Sequence, residues 1–333
     1  MEIGKLAGRE LKQVILNKID HFRSDILVPA GIGEDSAVVD IGDSLLVVSS
    51  DPITGATNKA GFLAVNVSCN DIAAAGAEPF GIQVILMLPP ELGTTESENL
   101  MQEIVDSAKK LGVEVLGGHT EITDLVKQPI ITITALGRAA KGELAATSAA
   151  RSGDILYISK GMGIEGSYIL ANDYPNLLLK NGVSQAAIDS VLNFINQLSV
   201  LPESRLARQN GVKAMHDVTE GGVYGAIAEM ASAANLGFLI EKDNFVPHDS
   251  VVEICTKLDL DPAGLISSGS LLMAAPPELD LEAVFANSGI DIFRVGKLLS
   301  AGNFIVENGQ QESFELPEQD ELWNFIEKNY GNS

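Results

Sequence analysis

The chain has little that could tie it together covalently: two cysteines, Cys69 and Cys255, in 333 residues. They lie far apart, each inside a helix-like segment, so neither a disulfide framework nor a zinc-binding spacing is present. Bases are scarce. Only 22 Lys and Arg stand against 45 Asp and Glu, a net charge of −23, and no basic cluster occurs. A nucleic-acid partner is therefore not expected. No apolar run approaches the roughly 18–20 residues of a membrane span, and Met1-Glu2-Ile3-Gly4-Lys5 lacks the basic and apolar regions of a signal peptide. Internal repeats and low-complexity tracts are missing too. These absences predict a cytoplasmic protein without membrane or nucleic-acid contact.

Apolar content is 46%, ample for real cores. The length suits two domains of about 150 residues each. A small, polar, glycine-containing stretch over 139–153 separates them, giving domains 1–150 and 151–333. The first half alternates strands and helices without a plain βαβ repeat, which predicts an α/β or α+β fold. Leu11, Val14, Ile15 and Ile19 predict an amphipathic helix over Leu6–Phe22. A strand over Leu45–Val48, a helix over Phe62–Gly76 and a strand over Phe80–Leu88 follow. Thr95 and Glu98 form a capping box for a helix that Gly112 stops. A short strand, Val113–Leu116, runs into a Gly117-Gly118-His119-Thr120-Glu121 loop, and Ile130–Gly137 is another strand. In the second half, strands are expected at 154–159, 238–241, 270–274 and 293–298, and helices at 188–198, 223–234 and around Trp323. Residues 161–166 form a G-x-G-x-x-G, but no second strand ending in an acid follows about 20 residues on, so a dinucleotide site is not expected.

Chemistry concentrates between Ala30 and Asp51. Gly31, Gly33, Glu34 and Asp35 make a glycine-hinged acidic turn, and the next strand ends in Ser49, Ser50 and Asp51. Asp35 and Asp51 facing one another would repel unless a cation neutralised them, and incomplete hard-oxygen ligation suits Mg²⁺. Asn66 and Asn70 share a helix face, with Asp71 about 100° further round. Such polar groups in an apolar helix are costly to bury without partners. Gly221 and Gly222 open a helix whose N–H groups would be accessible to phosphate. Asp217 just before them would repel a bare phosphate but suit one carrying a metal. His216 reads as a packed neighbour more readily than as a base. The polar loop from Asp51 to Gly61 is long enough to cover a ligand.

In order along the chain, these motifs resemble the aminoimidazole-ribonucleotide (AIR) synthase superfamily. Gly33-Glu34-Asp35-Ser36-Ala37 resembles its G-D-D-A-A turn, and Ser50-Asp51 its strand-end aspartate. Asn70-Asp71-Ile72 with Gly76-Ala77-Glu78-Pro79 is similar to its N-D-[IL]-x-x-x-G-A-x-P helix. Gly117 to Glu121 resembles the G-G-[DEH]-[ST] segment, and Asp217-Val218-Thr219-Glu220-Gly221-Gly222 the D-x-T-x-G-G turn. The resemblance implies two α/β domains, the first pairing with its twin in a homodimer through a shared barrel. It implies MgATP in the cleft, with Mg²⁺ on Asp35, Asp51, Asp71 and Asp217. Asn70, Gly117, Gly118, His119, Thr120, Gly221 and Gly222 would join them around the nucleotide. His119, Glu121 and His216 are the candidates for catalysis, although His119 departs from the acid of the AIR synthase and kinase branches.

The implied activity is ATP-dependent phosphoryl transfer to an oxygen of an amide, carbamoyl or hydroxyl group, on a small molecule or a protein-borne acceptor. The N-terminal segment lacks the cysteine of selenophosphate synthetases. The layout is nearest the hydrogenase maturation factor that dehydrates a carbamoyl group, without the cysteine of that factor's tail, and a maturation partner protein fits that branch. The alternatives are a non-catalytic ATP-binding scaffold and a small-molecule kinase related to thiamine-monophosphate kinase.

Overall fold

The computed structural model describes residues 8–53 and 59–330. The first residues of the predicted N-terminal helix, the middle of the loop after Asp51 and the end of the chain lie outside the described residues.

Six strands build the first sheet: β1 (Ile26–Val28), β2 (Ala37–Asp40), β3 (Leu45–Ile53), β4 (Glu78–Leu88), β5 (Glu114–Ile122) and β6 (Ile130–Ala139). Their order is β1-β2-β3-β6-β4-β5, antiparallel except for the β4–β5 pair. Seven strands build the second: β7 (Ile155–Ser159), β8 (Ala214–Asp217), β9 (Gly237–Glu241), β10 (Leu271–Ala275), β11 (Ile292–Leu299), β12 (Asn303–Glu307) and β13 (Gln310–Ser313). These run β13-β12-β9-β11-β7-β10-β8. Strand β7 is antiparallel to both neighbours, so the glycines after it open no βαβ unit, as expected.

Period-2 alternation sets the faces of β3: Leu45, Val47 and Ser49 are buried, while Leu46 and Val48 look the other way. The helix Ala60–Ala74 covers the buried face and is itself buried without a break from Leu63 to Ala74. Gly76 ends it at φ +79°, with the Ala77 N–H closing back on Ile72 O at 3.0 Å. Small residues in its last turns admit the helix Leu201–Gln209, whose Ser204 Oγ donates to Ala73 O at 2.5 Å. The group that approaches this face closely is protein.

One apolar core serves both sheets, joining Val47, Ile72 and Ile133 to Met215, Leu271 and Met273. Each such side chain contributes about 1.5–3 kcal/mol on burial.

Three local expectations need correction. The N-terminal helix is short, Gly8–Val14 followed by a 3₁₀ turn at Leu16–Lys18. Val14, Ile15, Ile19 and Phe22 remain exposed, because nothing among the described residues receives that apolar face. The helix Thr94–Leu111 has Gly93 at its N-cap and no side-chain cap, so the capping box does not form. Most consequentially, the Gly117–Glu121 segment is strand. Gly117 and Gly118 take φ +150° and +156°, and a Cβ at Gly118 would sit 1.8 Å from Val84 O. Only glycine lets β5 close on β4 there.

Candidate functional site

Four aspartates converge where the two sheets' connections meet. Asp51 lies on the helix-covered side of β3, and Asp71 reaches toward it from the helix Ala60–Ala74. Ser49, two residues before Asp51 and so on the same side, donates its Oγ to Asp71 Oδ2 at 2.5 Å and lies 3.3 Å from Asp51 Oδ2. Asp217, fully buried at the end of β8, approaches from the other domain. Asp35 completes the group from the acidic turn. That turn docks on the helix Gly222–Ala233: Gly33 has φ +76°, and a Cβ there would come within 2.6 Å of Glu229 O.

The electrostatic cost is visible at Asp71. Burial raises its carboxyl well above the usual range, and the charges of Asp217, Asp51 and Asp35 push it further. A divalent cation would offset the repulsion among these charges and favour the ionised form. The donor set, four carboxylates of which three stand on strands or a packed helix, is that of a hard cation such as Mg²⁺.

His216 is placed differently from a ligand or a base. It is 1% exposed, its Nδ1 is 2.5 Å from Asp35 Oδ2, and its Nε2 is 2.9 Å from Glu229 Oε2. Although its ligand atoms fall within 4.8 Å of those of Asp35 and Asp217, both ring nitrogens are committed to carboxylates. Burial alone would lower its pKa, but Asp35 and Glu229 outweigh it and raise the pKa well above the ordinary imidazole value. The imidazolium therefore links the first-domain turn to the second-domain helix and offsets part of the acidic charge. Its bond uses Oδ2 of Asp35 and leaves Oδ1 for a cation.

Other expected residues separate from this cluster. Asn70 is buried, its amide donating to Leu198 O at 2.7 Å and accepting from Val200 N at 2.9 Å, so it ties the domains together. Asn66 bonds Phe62 O and Ser107 Oγ. Glu34 accepts from Ser148 N at 3.1 Å. Gly221 N donates to Asp320 Oδ2 at 2.6 Å and Gly222 N to Thr219 O at 3.0 Å, so the expectation that these N–H groups are open to phosphate needs correction: both are already bonded within the protein. His119 and Glu121 lie 3.7 Å apart and exposed on the edge strand β5. His119 pairs in register with Ile85, on the face away from the aspartates. Gly117, Gly118 and Thr120 share that strand, three strand positions or about 14 Å from β3.

A two-domain α/β protein with clustered aspartates at the junction is the class this architecture defines. The chain matches the AIR synthase related protein N-terminal domain over residues 33–139 and the C-terminal domain over 151–307. It belongs to the AIR synthase related family. A Methanocaldococcus jannaschii protein named for hydrogenase expression and formation is 30% identical over 285 residues, covering 83% of this chain and 81% of the relative. The carbamoyl dehydratase HypE of Rhizobium leguminosarum bv. viciae is 24% identical, with 83% and 79% covered. Among solved structures, HypE in complex with ATP superposes with a TM-score of 0.70 at 22% identity, covering 96% of this chain and 97% of that one. A HypE–HypF complex gives 0.72 at 17%, with 93% and 100% covered. At these identities the structural likeness establishes the fold.

Proposed function

We propose that the protein is an ATP-dependent phosphoryl-transfer enzyme that activates a carbamoyl-, amide- or hydroxyl-type oxygen, on a small molecule or on a partner protein. The observation that carries this reading is the convergence of Asp35, Asp51, Asp71 and Asp217 from both domains, with Asp71 pushed far toward its protonated form. Relatives named for hydrogenase formation and carbamoyl dehydration, and structural neighbours bound to ATP and to HypF, support it. In this reading residues 1–150 carry most of the nucleotide site and the dimer contact, and 151–333 contribute Asp217. Asp51, Asp71 and Asp217 would hold Mg²⁺, with Asp35 through Oδ1. The ion supplies neutralising charge to phosphate oxygens, so the protein's task is positioning more than covalent chemistry. Asp51 and Asp217 on strands and Asp71 on a packed helix provide that rigidity.

The test is binding and turnover together. Calorimetry with MgATP should give saturable binding, and ADP release should rise when an acceptor is present; neither occurring would remove the proposal. A pH dependence follows. Asp71 and His216 both have folded pKa values raised above their ordinary 3.8 and 6.5. Each group therefore holds a proton in the folded state that the unfolded chain has released. Its stabilisation is present at low pH and is lost as pH rises through the folded value. Metal-free protein is expected to lose thermal stability from about pH 5 to pH 8, with MgATP restoring most of it at the upper end. A melting temperature equally insensitive to Mg²⁺ at both ends would contradict the metal assignment.

A homodimer belongs to the same reading. On the first sheet's face opposite the helix Ala60–Ala74, Phe80 and Ile85 are exposed beside half-buried Val48 and Leu136. A second copy burying that face would explain it. Light scattering should report a dimer, and Ile85→Lys a monomer; a monomeric parent at micromolar concentration would exclude this contact.

A further inference from the structure

The C-terminal helix Glu321–Tyr330 lies beyond the 151–307 stretch matched to the family, yet it is bonded to the turn that follows Asp217. Asp320 sits before its first residue and is 3% exposed. One oxygen, Oδ1, accepts from Leu322 N at 2.7 Å and so caps the helix. The other, Oδ2, accepts from Gly221 N at 2.6 Å. Two main-chain donors, one from the turn and one from the helix itself, thus converge on one side chain, an arrangement that elsewhere cradles a free anion.

A second bond runs beside the first. Trp323 Nε1 donates to Glu220 Oε1 at 2.9 Å. The helix cannot drift from this position without cost, because Leu322 and Phe325 are 2% exposed in the second domain's core and Phe325 packs edge-on to Tyr174. The turn has little freedom of its own: Gly221 and Gly222 take φ +84° and +60°, and a Cβ on Gly222 would meet Ala263 O at 2.5 Å. Glu321 N in turn bonds Gly264 O at 3.2 Å, so helix, loop and turn form one block.

We propose that Asp320 is a positioning residue for the nucleotide site: through Gly221, with Trp323 on Glu220 beside it, the C-terminal helix fixes the Asp217–Gly222 turn. The idea rests on the MgATP reading above. It turns the Gly221–Gly222 turn from a phosphate cradle into a support that an internal carboxylate already fills. Nucleotide binding at Asp217 must then be felt at Trp323, the protein's only tryptophan.

The experiment follows Trp323 emission and MgATP affinity by calorimetry in the full chain. In the parent, MgATP should shift or quench the emission along the same saturation curve that calorimetry gives. Asp320→Asn exchanges a two-oxygen acceptor for an amide whose single oxygen cannot accept both bonds. It should weaken MgATP binding about fivefold or more and uncouple the emission from binding. Should that variant not fold, Glu220→Ala and Trp323→Phe probe the second bond alone, and each should weaken binding by about threefold. Parent binding with silent emission and unchanged variant affinities would overturn the latch alone. Tighter binding in Asp320→Asn would also overturn it, since the carboxylate would then be a competitor. No MgATP binding by the parent would overturn the functional reading and the latch together.

Discussion

Asp71→Asn is expected to abolish Mg²⁺-dependent nucleotide binding while raising the melting temperature of the metal-free protein. The two effects have one origin. Asp71 is buried, held by Ser49 Oγ at 2.5 Å, and surrounded by Asp51, Asp217 and Asp35. With no cation, ionising it means desolvating a charge among like charges. Asparagine keeps the size and one acceptor oxygen for Ser49 but carries no charge, so the folded state loses that penalty. The gain should grow with pH, because the parent's carboxyl must ionise as pH rises whereas the amide never does. With MgATP the order inverts: the variant lacks a ligand, and activity should fall by about a hundredfold or more. Paired thermal melts at pH 6 and pH 8, with and without MgATP, check both parts. If the metal-free variant melted below the parent at pH 8, the penalty assigned to the cluster would be wrong.

All four aspartates of this cluster are legible in the sequence, because each stands at a place where local structure is strongly signalled. Asp51 ends a β-branched run, Asp71 interrupts an apolar helix, and Asp35 and Asp217 adjoin glycine turns. Ser49 was within reach too, since period 2 puts it on the same side of β3 as Asp51. The partners of His216 were not. Glu229 is the one acid of an otherwise uncharged helix thirteen residues later, and only the docking of that helix on the Gly33 turn brings it to Nε2. Gly117-Gly118 misleads for a physical reason: glycine pairs normally mark turns, but here they allow a close strand–strand approach with φ beyond the reach of L side chains. The β12–β13 hairpin carries a plain signal that the strand expectations omit. Asn308-Gly309 lies between the strands with φ +53° and +72°, the type I′ pair. Long-range polar ties such as those of Asn70 and Asp320 have no sequence signature, because each joins segments about a hundred residues apart or more.

Lys160→Met is expected to cost about 3–5 kcal/mol, a large part of the 5–15 kcal/mol that holds a typical domain folded. Lys160 occupies a left-handed backbone position, φ +60°, just after β7. Its Nζ is 2.7 Å from Glu203 Oε1 and donates to the carbonyls of Ser199, Gln197 and Gly269 at 2.7, 2.8 and 3.0 Å. Burial lowers the pKa of the ammonium and Glu203 draws it back up. Glu203 is fully buried and also accepts from Ser159 Oγ at 3.1 Å. Methionine would leave that carboxylate without its cation and three carbonyls without their donor. The second substitution separates charge from shape: Lys160→Met with Glu203→Leu removes both ions and should recover most of the loss in urea unfolding. The pair also has a route to the site, because the 197–200 segment that Lys160 grips is the one Asn70 holds, and Asn70 adjoins Asp71. MgATP affinity should therefore fall in the single variant by more than loss of folded protein explains, and return in the double variant. A single variant as stable as the parent in urea unfolding would contradict the cost assigned to breaking this buried pair.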